Sequence, residues 1–519
     1  MPAGNLPYKL LFTLPFLTLA LACGTGPSQK DQPPTTPKAA ADTMLAGTFS
    51  EPSTYRFDSL ILDTFFKTYP DLSTYAKDVR QFYQSRNYAF AWHDTTGQIE
   101  QAGNLYNRIH GLTDDGIPGE IPYTSRLDTL ILSTDKTTRL QTELLLTSMY
   151  FYFAEKAWTG LNESQTRRIA WFVPRKKVSY VDWLHTFLNA SDSTNKEKEP
   201  LYRQYSLLKK YLHKYMSIQQ QDTWQPVTEI KDIKKRLYLL GDLPSNDFGN
   251  ADDDILGQAI KNFQRRHGLP QNGKINKIFL TELNTPIQTR INQILVNMER
   301  SRWLPDTVQG EYLGINIPEF KLHMYRGDSL LWDMNVVVGQ SVHKTVIFSG
   351  TLKHIVFSPY WNVPPDILKK EVLPGIKKDK GYLARHHMEW NGGNVRQMPG
   401  PWNALGGVKF LFPNTYNIYL HDTPAKDLFG ENDRAFSHGC IRLAEPAKLA
   451  AYLLRNDSTW TPEKIDKAMH THSEKWINVK YPFQVFIVYF TSWVDRQGNL
   501  NFRKDIYGRD SRLEKMLIR

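Results

Sequence analysis

The 519-residue chain lacks several features that mark common classes of protein. It has two cysteines, Cys23 and Cys440, too few for the disulfide framework of a small secreted domain. Past the N-terminus no window offers about 18 uninterrupted apolar residues, so no transmembrane helix is predicted there. The 64 Lys and Arg residues exceed the 53 Asp and Glu residues only mildly, and the net charge of +11 is spread thinly. A nucleic-acid partner is therefore not predicted.

The composition is that of a globular protein. Hydrophobic residues make up 41% and charged residues 23% of the chain, which excludes a mainly disordered or collagen-like protein. Domains commonly hold about 100 to 200 residues, so the length predicts roughly three or four folded units. Changes in composition along the chain indicate where these units begin and end.

The first 53 residues have the features of an export signal followed by a tether. The apolar run at 10–22 is too short to cross a bilayer and has the length of a signal-peptide hydrophobic region. The junction ALACG at 20–24 resembles a lipobox, whose cysteine becomes the lipid-modified first residue of a bacterial lipoprotein. We therefore predict a signal peptide at 1–22, a lipid on Cys23 and a flexible tether at 23–53. A cleaved signal peptide with an incidental cysteine is the alternative.

The next two units are predicted to be helical. Residues 54–228 form a helical scaffold, in which the segment 141–160 is apolar on every face and should be buried. Residues 229–284 form three short amphipathic helices, and 285–310 form a connecting helix. The pattern of the three-helix segment resembles a peptidoglycan-binding domain at Leu237, Leu240, Ala259, Phe263, Gln264, Gly268, Leu269, Gly273 and Leu283. An unrelated three-helix module stays open, because amphipathic periodicity alone decides little.

The remaining sequence is predicted to be rich in β-strands. Between 311 and 495, segments enriched in Val, Ile, Tyr and Phe are separated by Gly- and Asp-containing breaks, which favours an antiparallel β domain. The Pro- and Gly-rich interval 359–412 is long enough to be a capping insert. Residues 496–519 form a C-terminal extension. The predicted fold class is thus α+β and multidomain.

Two motifs in the β-rich region carry residues suited to nucleophilic catalysis, IYLHDTP at 418–424 and SHGCIRL at 437–443. A thiolate is a strong nucleophile, but the thiol's usual pKa of about 8.5 means that an imidazole must take the proton of Cys440. His421 can lie on an adjacent strand and face Cys440, so it is the predicted base. His438 could point to the same side only if its loop is extended.

The neighbours of Cys440 have further predicted roles. Gly439 should let the backbone approach the substrate, and the N–H groups of Gly439 and Cys440 should donate to an oxyanion. Arg442 should stabilise the thiolate or bind a substrate carboxylate, unless it pairs with an acidic neighbour. The candidates for such a pair are Asp422, Asp433 and Glu445. A buried structural cysteine and a zinc site are further alternatives, but the spacing matches no zinc motif and no metal is predicted.

These motifs resemble those of the large multidomain L,D-transpeptidases of Gram-negative bacteria. SHGCIRL is similar to the family's Ser-His-Gly-Cys signature, and His421 stands in its His-Asp-Thr-Pro element. The similarity extends to FYQSRNYAFAW (82–92), YWNVPPDI (360–367), PGPWNALGGVKF (399–410) and YGRD (507–510). It implies a helical scaffold, a peptidoglycan-binding module and a β-rich catalytic domain with a capping insert. Some members have serine where His438 stands, which favours His421 as the base.

The resemblance implies acyl transfer on peptidoglycan stem peptides without a cofactor. Cys440 would attack the carbonyl of the third stem residue, a diaminopimelate, expel D-alanine and form a thioester, with the Tyr419 carbonyl orienting the imidazole. The amine of a neighbouring stem would then form a 3→3 cross-link. An L,D-carboxypeptidase or an enzyme that attaches a protein to the wall would use the same residues. A non-catalytic wall-binding lipoprotein is the remaining alternative.

The resemblance also implies the substrate-binding residues, the partners and the location. The predicted substrate-binding residues are Ser437, Arg442, Tyr360, Trp361, Asn362 and Asn403. For Trp361, a place in the aromatic core of the insert is an equal alternative. The predicted partners are peptidoglycan stem peptides and glycan strands, and a membrane reached through the lipid on Cys23. The protein is expected in the periplasm of a Gram-negative bacterium.

Overall fold

The computed structural model describes residues 53–117, 119–189 and 199–518. The predicted signal peptide, all but the last residue of the tether and the predicted lipid site Cys23 lie outside the described residues. All elements given below belong to one compact unit, which spans Leu45–Arg519. Among the helices in these ranges, none is both long enough and apolar enough to cross a membrane.

The N-terminal region is helical, as predicted. Its helices are α1 (Ile61–Thr68), α2 (Ala76–Ser85), α3 (Glu100–His110), α4 (Thr124–Ile131), α5 (Arg139–Ala154), α6 (Glu163–Arg168), α7 (Tyr180–Asn189) and α8 (Gln204–Gln221). Helix α5 is buried along most of its length, as its apolar faces predict. Its fully buried Glu143 accepts hydrogen bonds from the Trp92 N–H at 3.0 Å and the Tyr83 hydroxyl at 2.9 Å. This carboxylate fixes the 82–92 segment against α5.

A three-helix module follows, formed by α9 (Ile230–Leu240), α10 (Asp254–Arg266) and α11 (Lys277–Leu283). Asp253 caps α10 by accepting a hydrogen bond from the Leu256 N–H at 2.8 Å, and Asn276 caps α11 in the same way. The apolar residues of the predicted pattern are buried except Leu269, which is partly buried against the core. Helix α12 (Ile287–Arg302) then packs along α8, so the predicted connecting helix completes the helical region.

The β-rich region is built around one large sheet. The strands of the chain are β1 (Trp171–Phe172), β2 (Glu311–Asn316), β3 (Lys321–Arg326), β4 (Ser329–Gly339), β5 (Ile347–Phe357), β6 (Trp361–Asn362), β7 (Met388–Asn391), β8 (Asn394–Gln397), β9 (Val408–Leu411), β10 (Leu420–His421), β11 (Ala435–Ser437), β12 (Ile441–Leu443), β13 (Lys475–Val488), β14 (Ser492–Val494) and β15 (Leu500–Phe502). In the large sheet the strand order is β5-β13-β2-β3-β4-β12-β10-β9, and β9 pairs back to β5. Alternate side chains such as Leu313 and Ile441 enter one hydrophobic core. Their neighbours Tyr312 and Arg442 face the opposite side of the sheet, called here the outer face.

The large sheet is mixed, so the prediction of an antiparallel domain is wrong. The strands run parallel in the pairs β1–β5, β2–β13, β4–β11 and β10–β12. A parallel pair needs a crossover connection instead of a tight turn, and residues 422–440 supply one between β10 and β12. Short strand patterns carry no information on pairing direction, because both directions bury alternate residues.

The capping insert is a small subdomain with its own core. It contains β6, β7 and β8 as a three-stranded sheet, with α13 (Pro365–Ile367), α14 (Leu373–Lys378) and α15 (Tyr382–Arg385). Val363, Val372, Met388 and Val395 form its buried centre. Strand β9, at the end of the predicted interval 359–412, instead belongs to the large sheet, because Val408 and Phe410 enter the main core.

The C-terminal segments connect the domains. Helices α16 (Pro446–Leu454), α17 (Pro462–Met469) and α18 (Asp510–Leu517) complete the chain. The predicted boundary at 495 falls inside a hairpin, since β14 pairs with β15. Val494 and Phe502 of this hairpin enter the core of the helical region. Arg509 donates a hydrogen bond to the Ile169 carbonyl at 2.7 Å, and the catalytic domain is thereby fixed to the scaffold.

Candidate active site

Strand pairing brings the two predicted catalytic motifs together. β10 and β12 are parallel neighbours, with Leu420 opposite Ile441 and His421 opposite Arg442. The Tyr419 carbonyl accepts a hydrogen bond from the Ile441 N–H at 3.2 Å. Opposite residues share a face of a sheet, so His421 and Arg442 both lie on the outer face. Cys440 immediately precedes β12, and its thiol lies beside Tyr419, the residue before β10.

The thiol of Cys440 is half-buried beside Tyr419. Its sulfur donates a hydrogen bond to the Asn417 carbonyl at 3.5 Å. Burial raises the pKa of this thiol above its ordinary value, while hydrogen bonds from the main chain and side chain of Tyr419 and the charge of Arg442 act in the opposite direction. At neutral pH the resting group is therefore the thiol, and the reaction needs a base.

His421 is buried and neutral. Burial, followed by the positive charge of Arg442, lowers the pKa of its imidazole to about 4. Its Nδ1 donates a hydrogen bond to the main-chain carbonyl of Asp422, which leaves Nε2 as the basic nitrogen. The prediction had placed the Tyr419 carbonyl in this role, but that carbonyl pairs with Ile441 in the strand ladder. The imidazole makes no hydrogen bond to the thiol, whose bond goes to Asn417.

The Asp422 side chain holds the turn that supports His421. Its carboxylate accepts hydrogen bonds from the N–H groups of Gly407 and Thr423, both at 2.8 Å or less, and forms an ion pair with Lys426. Gly406 has a φ of +59°, and a Cβ there would lie 2.3 Å from the carboxylate. The Gly406-Gly407 pair of the sequence motif is thus required by this close approach.

His438 faces the capping insert. Its Nε2 lies 3.8 Å from the Glu371 carboxylate of the insert, and its ring centroid is 5.0 Å from that of His343. Nearly half of this imidazole is exposed. These contacts connect the catalytic loop to the insert, and they favour His421 as the base.

Ser437 and Gly439 shape the catalytic loop, which we define as residues 437–440. The buried Ser437 hydroxyl accepts a hydrogen bond from the Gly439 N–H at 3.1 Å and donates one to the Cys440 carbonyl. The Gly439 N–H is therefore not available to an oxyanion, contrary to the prediction. Within the described ranges the Cys440 N–H has no acceptor, and it is the remaining main-chain donor. Ser437 was predicted to bind substrate, but its side chain is buried and holds the catalytic loop.

Three residues that the sequence analysis did not predict, Gly339, Thr345 and Tyr507, hold the catalytic loop through a chain of hydrogen bonds. The Thr345 hydroxyl donates to the Gly439 carbonyl and accepts from the Gly339 N–H, both at 2.9 Å. The Tyr507 hydroxyl accepts a hydrogen bond from the Thr345 N–H at 3.2 Å and donates to the Gly339 carbonyl. A Cβ at Gly339 would lie 3.0 Å from the Gly439 Cα, so the two strands of backbone touch. The YGRD motif was the only signal in the sequence for this support.

Arg442 is a half-buried cation without an acidic partner among the described residues. Its Nε is buried and makes no hydrogen bond. None of the three acidic residues predicted as partners pairs with Arg442. Asp422 pairs with Lys426 and Glu445 with Lys448. Asp433 accepts a hydrogen bond from the Ala435 N–H. Burial lowers the pKa of the guanidinium, and the proximity of Cys440 raises it. An anion bound here would relieve the cost of this unpaired charge.

The four predicted lining residues of the insert are placed differently from one another. Asn403 is fully buried, and its side chain donates to the carbonyls of Pro359 and Met398, both at 3.0 Å, so its predicted substrate role is wrong. Trp361 packs against the core of the insert, which is the alternative given above. Tyr360 has its ring under the Arg396 guanidinium at 3.9 Å, and Asn362 is exposed.

The raised pKa of the thiol predicts how Cys440 reacts with iodoacetamide. Only the thiolate reacts, so the rate should still be rising above pH 9. Arg442→Ala removes a charge that lowers this pKa, so it should move the midpoint to higher pH, whereas Arg442→Lys should move it less. Intact mass of a Cys23→Ser protein measures the rate at Cys440 alone. A midpoint at or below the ordinary value in the parent protein would show that burial does not control this thiol.

Comparisons with known proteins identify three domain types in order. Residues 77–212 match a family model described as "Scaffold domain", residues 226–283 one described as "Putative peptidoglycan binding domain", and residues 310–465 one described as "L,D-transpeptidase catalytic domain". A Haemophilus influenzae protein named "Putative L,D-transpeptidase" is 32% identical over 251 residues. The match covers 44% of this chain and 50% of that protein, so the chain spans about half the length of this relative.

Solved structures of similar proteins were also found. An L,D-transpeptidase from Stackebrandtia nassauensis is 15% identical, with 50% of this chain and 90% of that chain covered and a TM-score of 0.21. An L,D-transpeptidase from Xylanimonas cellulosilytica is 12% identical, with 51% and 94% covered and a TM-score of 0.19. Similarity at these TM-scores carries no argument about this chain.

Proposed function

Since the chain belongs to the large multidomain L,D-transpeptidases, with scaffold, peptidoglycan-binding and catalytic domains in order, we propose that it cross-links peptidoglycan stem peptides through a thioester on Cys440. One observation carries the proposal. Cys440 immediately precedes β12, and His421 lies on β10, the parallel neighbour of β12, where it is opposite Arg442, a cation without an acidic partner among the described residues. A nucleophile, a base and an anion-binding group are the components that acyl transfer needs.

In the first half of the reaction, the Cys440 sulfur attacks the carbonyl carbon of the third stem residue. The thiol proton moves to Nε2 of His421 after the sulfur turns away from the Asn417 carbonyl. The Cys440 N–H donates to the developing oxyanion. The imidazolium then gives the proton to the departing amine, so D-alanine leaves as a neutral amine and the acyl group stays on sulfur as a thioester.

In the second half, the amine of a neighbouring stem attacks the thioester. Nε2 of His421 accepts a proton from this amine, the carbon–sulfur bond breaks, and the thiol is regenerated. The product is a 3→3 cross-link. No ATP is needed, because the thioester preserves the energy of the broken peptide bond to D-alanine. Water in place of the amine gives hydrolysis, so the capping insert, which contacts His438 through Glu371, should act by keeping water out.

Substrate binding should make His421 a better base. The charge of Arg442 is one reason why the pKa of the free imidazole is low. A carboxylate of the stem peptide bound to Arg442 would offset this charge, and the pKa of the imidazole would rise toward its ordinary value. The base would thus strengthen only when the donor is in place.

The product of the acyl transfer identifies the acceptor. We expect purified protein incubated with disaccharide tetrapeptide to give a 3→3 linked dimer and free D-alanine, resolved by mass. Tripeptide without dimer would mean that water is the acceptor and that the enzyme is an L,D-carboxypeptidase. Loss of neither D-alanine nor tetrapeptide would favour a non-catalytic wall-binding protein. A tripeptide joined to an added protein would indicate attachment to the wall.

The proposal includes the location of the enzyme. Its substrate lies outside the inner membrane of a Gram-negative cell, and the sequence around Cys23 resembles a lipobox. We therefore propose a periplasmic protein anchored by a lipid on Cys23. Membrane fractionation of a Cys23→Ser protein tests this anchor. The variant should move to the soluble fraction, and a variant that stays with the membrane would show that this lipid does not hold it.

A further inference from the structure

The outer face of β2, β3, β4 and β13 lines a cavity of about 460 Å³ outside the catalytic site. Residues 202–204 at the start of α8, residues 304, 305 and 308 after α12, and the β14–β15 hairpin form its other walls. Its aromatic lining consists of Tyr202, Tyr312, Tyr325, Phe486, Phe490 and Trp493. We call it the aromatic cavity. Its volume lies within the range of about 300 to 1,000 Å³ that small-ligand sites occupy.

The rings of the aromatic cavity form a platform. Tyr312 and Tyr325 stack with centroids 5.1 Å apart, and Phe486 meets Tyr312 edge-on at 5.8 Å. Gly314 of β2 has no side chain, and a Cβ there would be 3.2 Å from the Tyr325 ring. Tyr325 and Phe486 are half-buried, and both line the cavity. Ring faces of this kind attract the C–H face of a sugar.

Polar groups at the same platform are arranged to hold hydroxyl or amide groups. His323 Nε2 lies 3.0 Å from the Glu319 carboxylate, and both side chains line the cavity. The Nδ1 of His323 is buried and has no partner in the part of the chain that the structure describes. A buried polar atom without a partner costs free energy that a ligand hydrogen bond would recover.

A second cavity of about 580 Å³ adjoins the first and is basic. It lies between the peptidoglycan-binding module and the catalytic domain, and we call it the basic cleft. It shares Arg265, Glu319, Lys321 and Arg503 with the aromatic cavity. Its further cationic residues are Arg290, Arg434 and Lys504.

The charges of the basic cleft are only partly neutralised. Arg290 pairs with Glu282, Arg265 with Asp495 and Lys321 with Asp333. Arg434 and Arg503 donate to main-chain carbonyls only. Lys504 is exposed and forms no ion pair among the described residues. The cleft therefore favours a ligand that carries negative charge.

We propose that the aromatic cavity and the basic cleft form one binding site for a carboxylated amino-sugar oligosaccharide, the chemistry of a peptidoglycan glycan strand. Sugar rings lie on the aromatic platform, and a lactyl carboxylate lies among the cations of the cleft. The inference rests on the proposed function for the identity of the strand. Asn432, Asp433 and Arg434 line the cleft and lead directly into β11, which ends at Ser437 of the catalytic loop. A strand bound here would contact the segment that enters that loop.

Calorimetry with a peptide-free GlcNAc–MurNAc tetrasaccharide tests this site in the full-length protein. Tyr325→Leu, which removes a stacking ring, should weaken binding at least about tenfold. Lys504→Glu reverses an exposed charge in the basic cleft without disturbing the core, and it should weaken binding about fivefold. The matched controls Tyr481→Leu and Lys515→Glu lie outside both cavities and should bind like the parent protein.

Neutral chitotetraose separates the two halves of the site. It should bind less tightly than the MurNAc tetrasaccharide and should respond to Tyr325→Leu but not to Lys504→Glu. Tetrasaccharide affinities of both cavity variants equal to those of the controls would overturn the proposal, as would no binding to the parent protein. Turnover of disaccharide tetrapeptide tests the proposed function independently of glycan binding. Turnover without glycan binding would contradict only the proposed glycan site. Glycan binding without turnover would contradict only the proposed function.

Discussion

Cys440→Ala should abolish turnover of disaccharide tetrapeptide, with a loss in kcat of at least about a thousandfold. The expected loss is large because Cys440 is the proposed carrier of the acyl intermediate. Arg442, the catalytic-loop N–H and His421 would remain, but they can only assist an attack by water. Release of D-alanine, followed by chromatography, measures the effect.

Two controls make the Cys440 result specific. Cys23→Ser changes the chain's other cysteine, and in detergent it should keep the parent turnover. Binding of Cys440→Ala to isolated sacculi should be nearly unchanged, because the peptidoglycan-binding module is not altered. Substantial turnover by Cys440→Ala would mean that another group forms the intermediate, and the proposed mechanism would fail.

His421→Ala should lower kcat/KM by about a hundredfold to ten-thousandfold, the range of a lost general base. His438→Ala is the matched control on a second imidazole near the thiol. Because His438 lies against Glu371 and His343, its replacement should cost less than about tenfold. Equal losses in the two variants would contradict the assignment of His421 as the base.

The pH profile gives a second test of His421. Its pKa of about 4 means that the base stays unprotonated down to mildly acidic pH, so the acid limb of kcat/KM should lie well below the ordinary value of 6.5. Arg442→Ala removes a charge that lowers this pKa, and it should move the acid limb upward. A limb near pH 6.5 in the parent that Arg442→Ala leaves in place would contradict this electrostatic account.

The elements that sequence patterns predict well are those whose cause is local. Helix α5 followed from an apolar segment too hydrophobic for a surface, and the module followed from amphipathic helices with glycine breaks. That the two motifs lie on neighbouring strands could be predicted, because thiol chemistry requires a base and both motifs have strand-like flanks. In each case neighbouring residues carry the information.

The features that could not be predicted arise from contacts distant in sequence. The support of Gly439 by Thr345 and Tyr507 joins three separate segments, and the YGRD motif alone does not reveal its partners. The carbonyl that orients the His421 imidazole belongs to Asp422, because the Tyr419 carbonyl is paired with Ile441 between the strands. The sequence does not show the direction of this strand pairing. Asn403 shows the same limit, because the sequence does not distinguish a polar side chain that binds substrate from one that forms hydrogen bonds with the main chain.

The central claim is that an acyl group resides on the Cys440 sulfur during turnover. Intact-mass and peptide-mass measurement of the protein, quenched in acid during reaction with disaccharide tetrapeptide, tests it directly. The account predicts an added disaccharide tripeptide acyl group on the Cys440 peptide, removed by hydroxylamine and absent from Cys440→Ala. Steady turnover with no adduct at any quench time, or an adduct on a different residue, would contradict it.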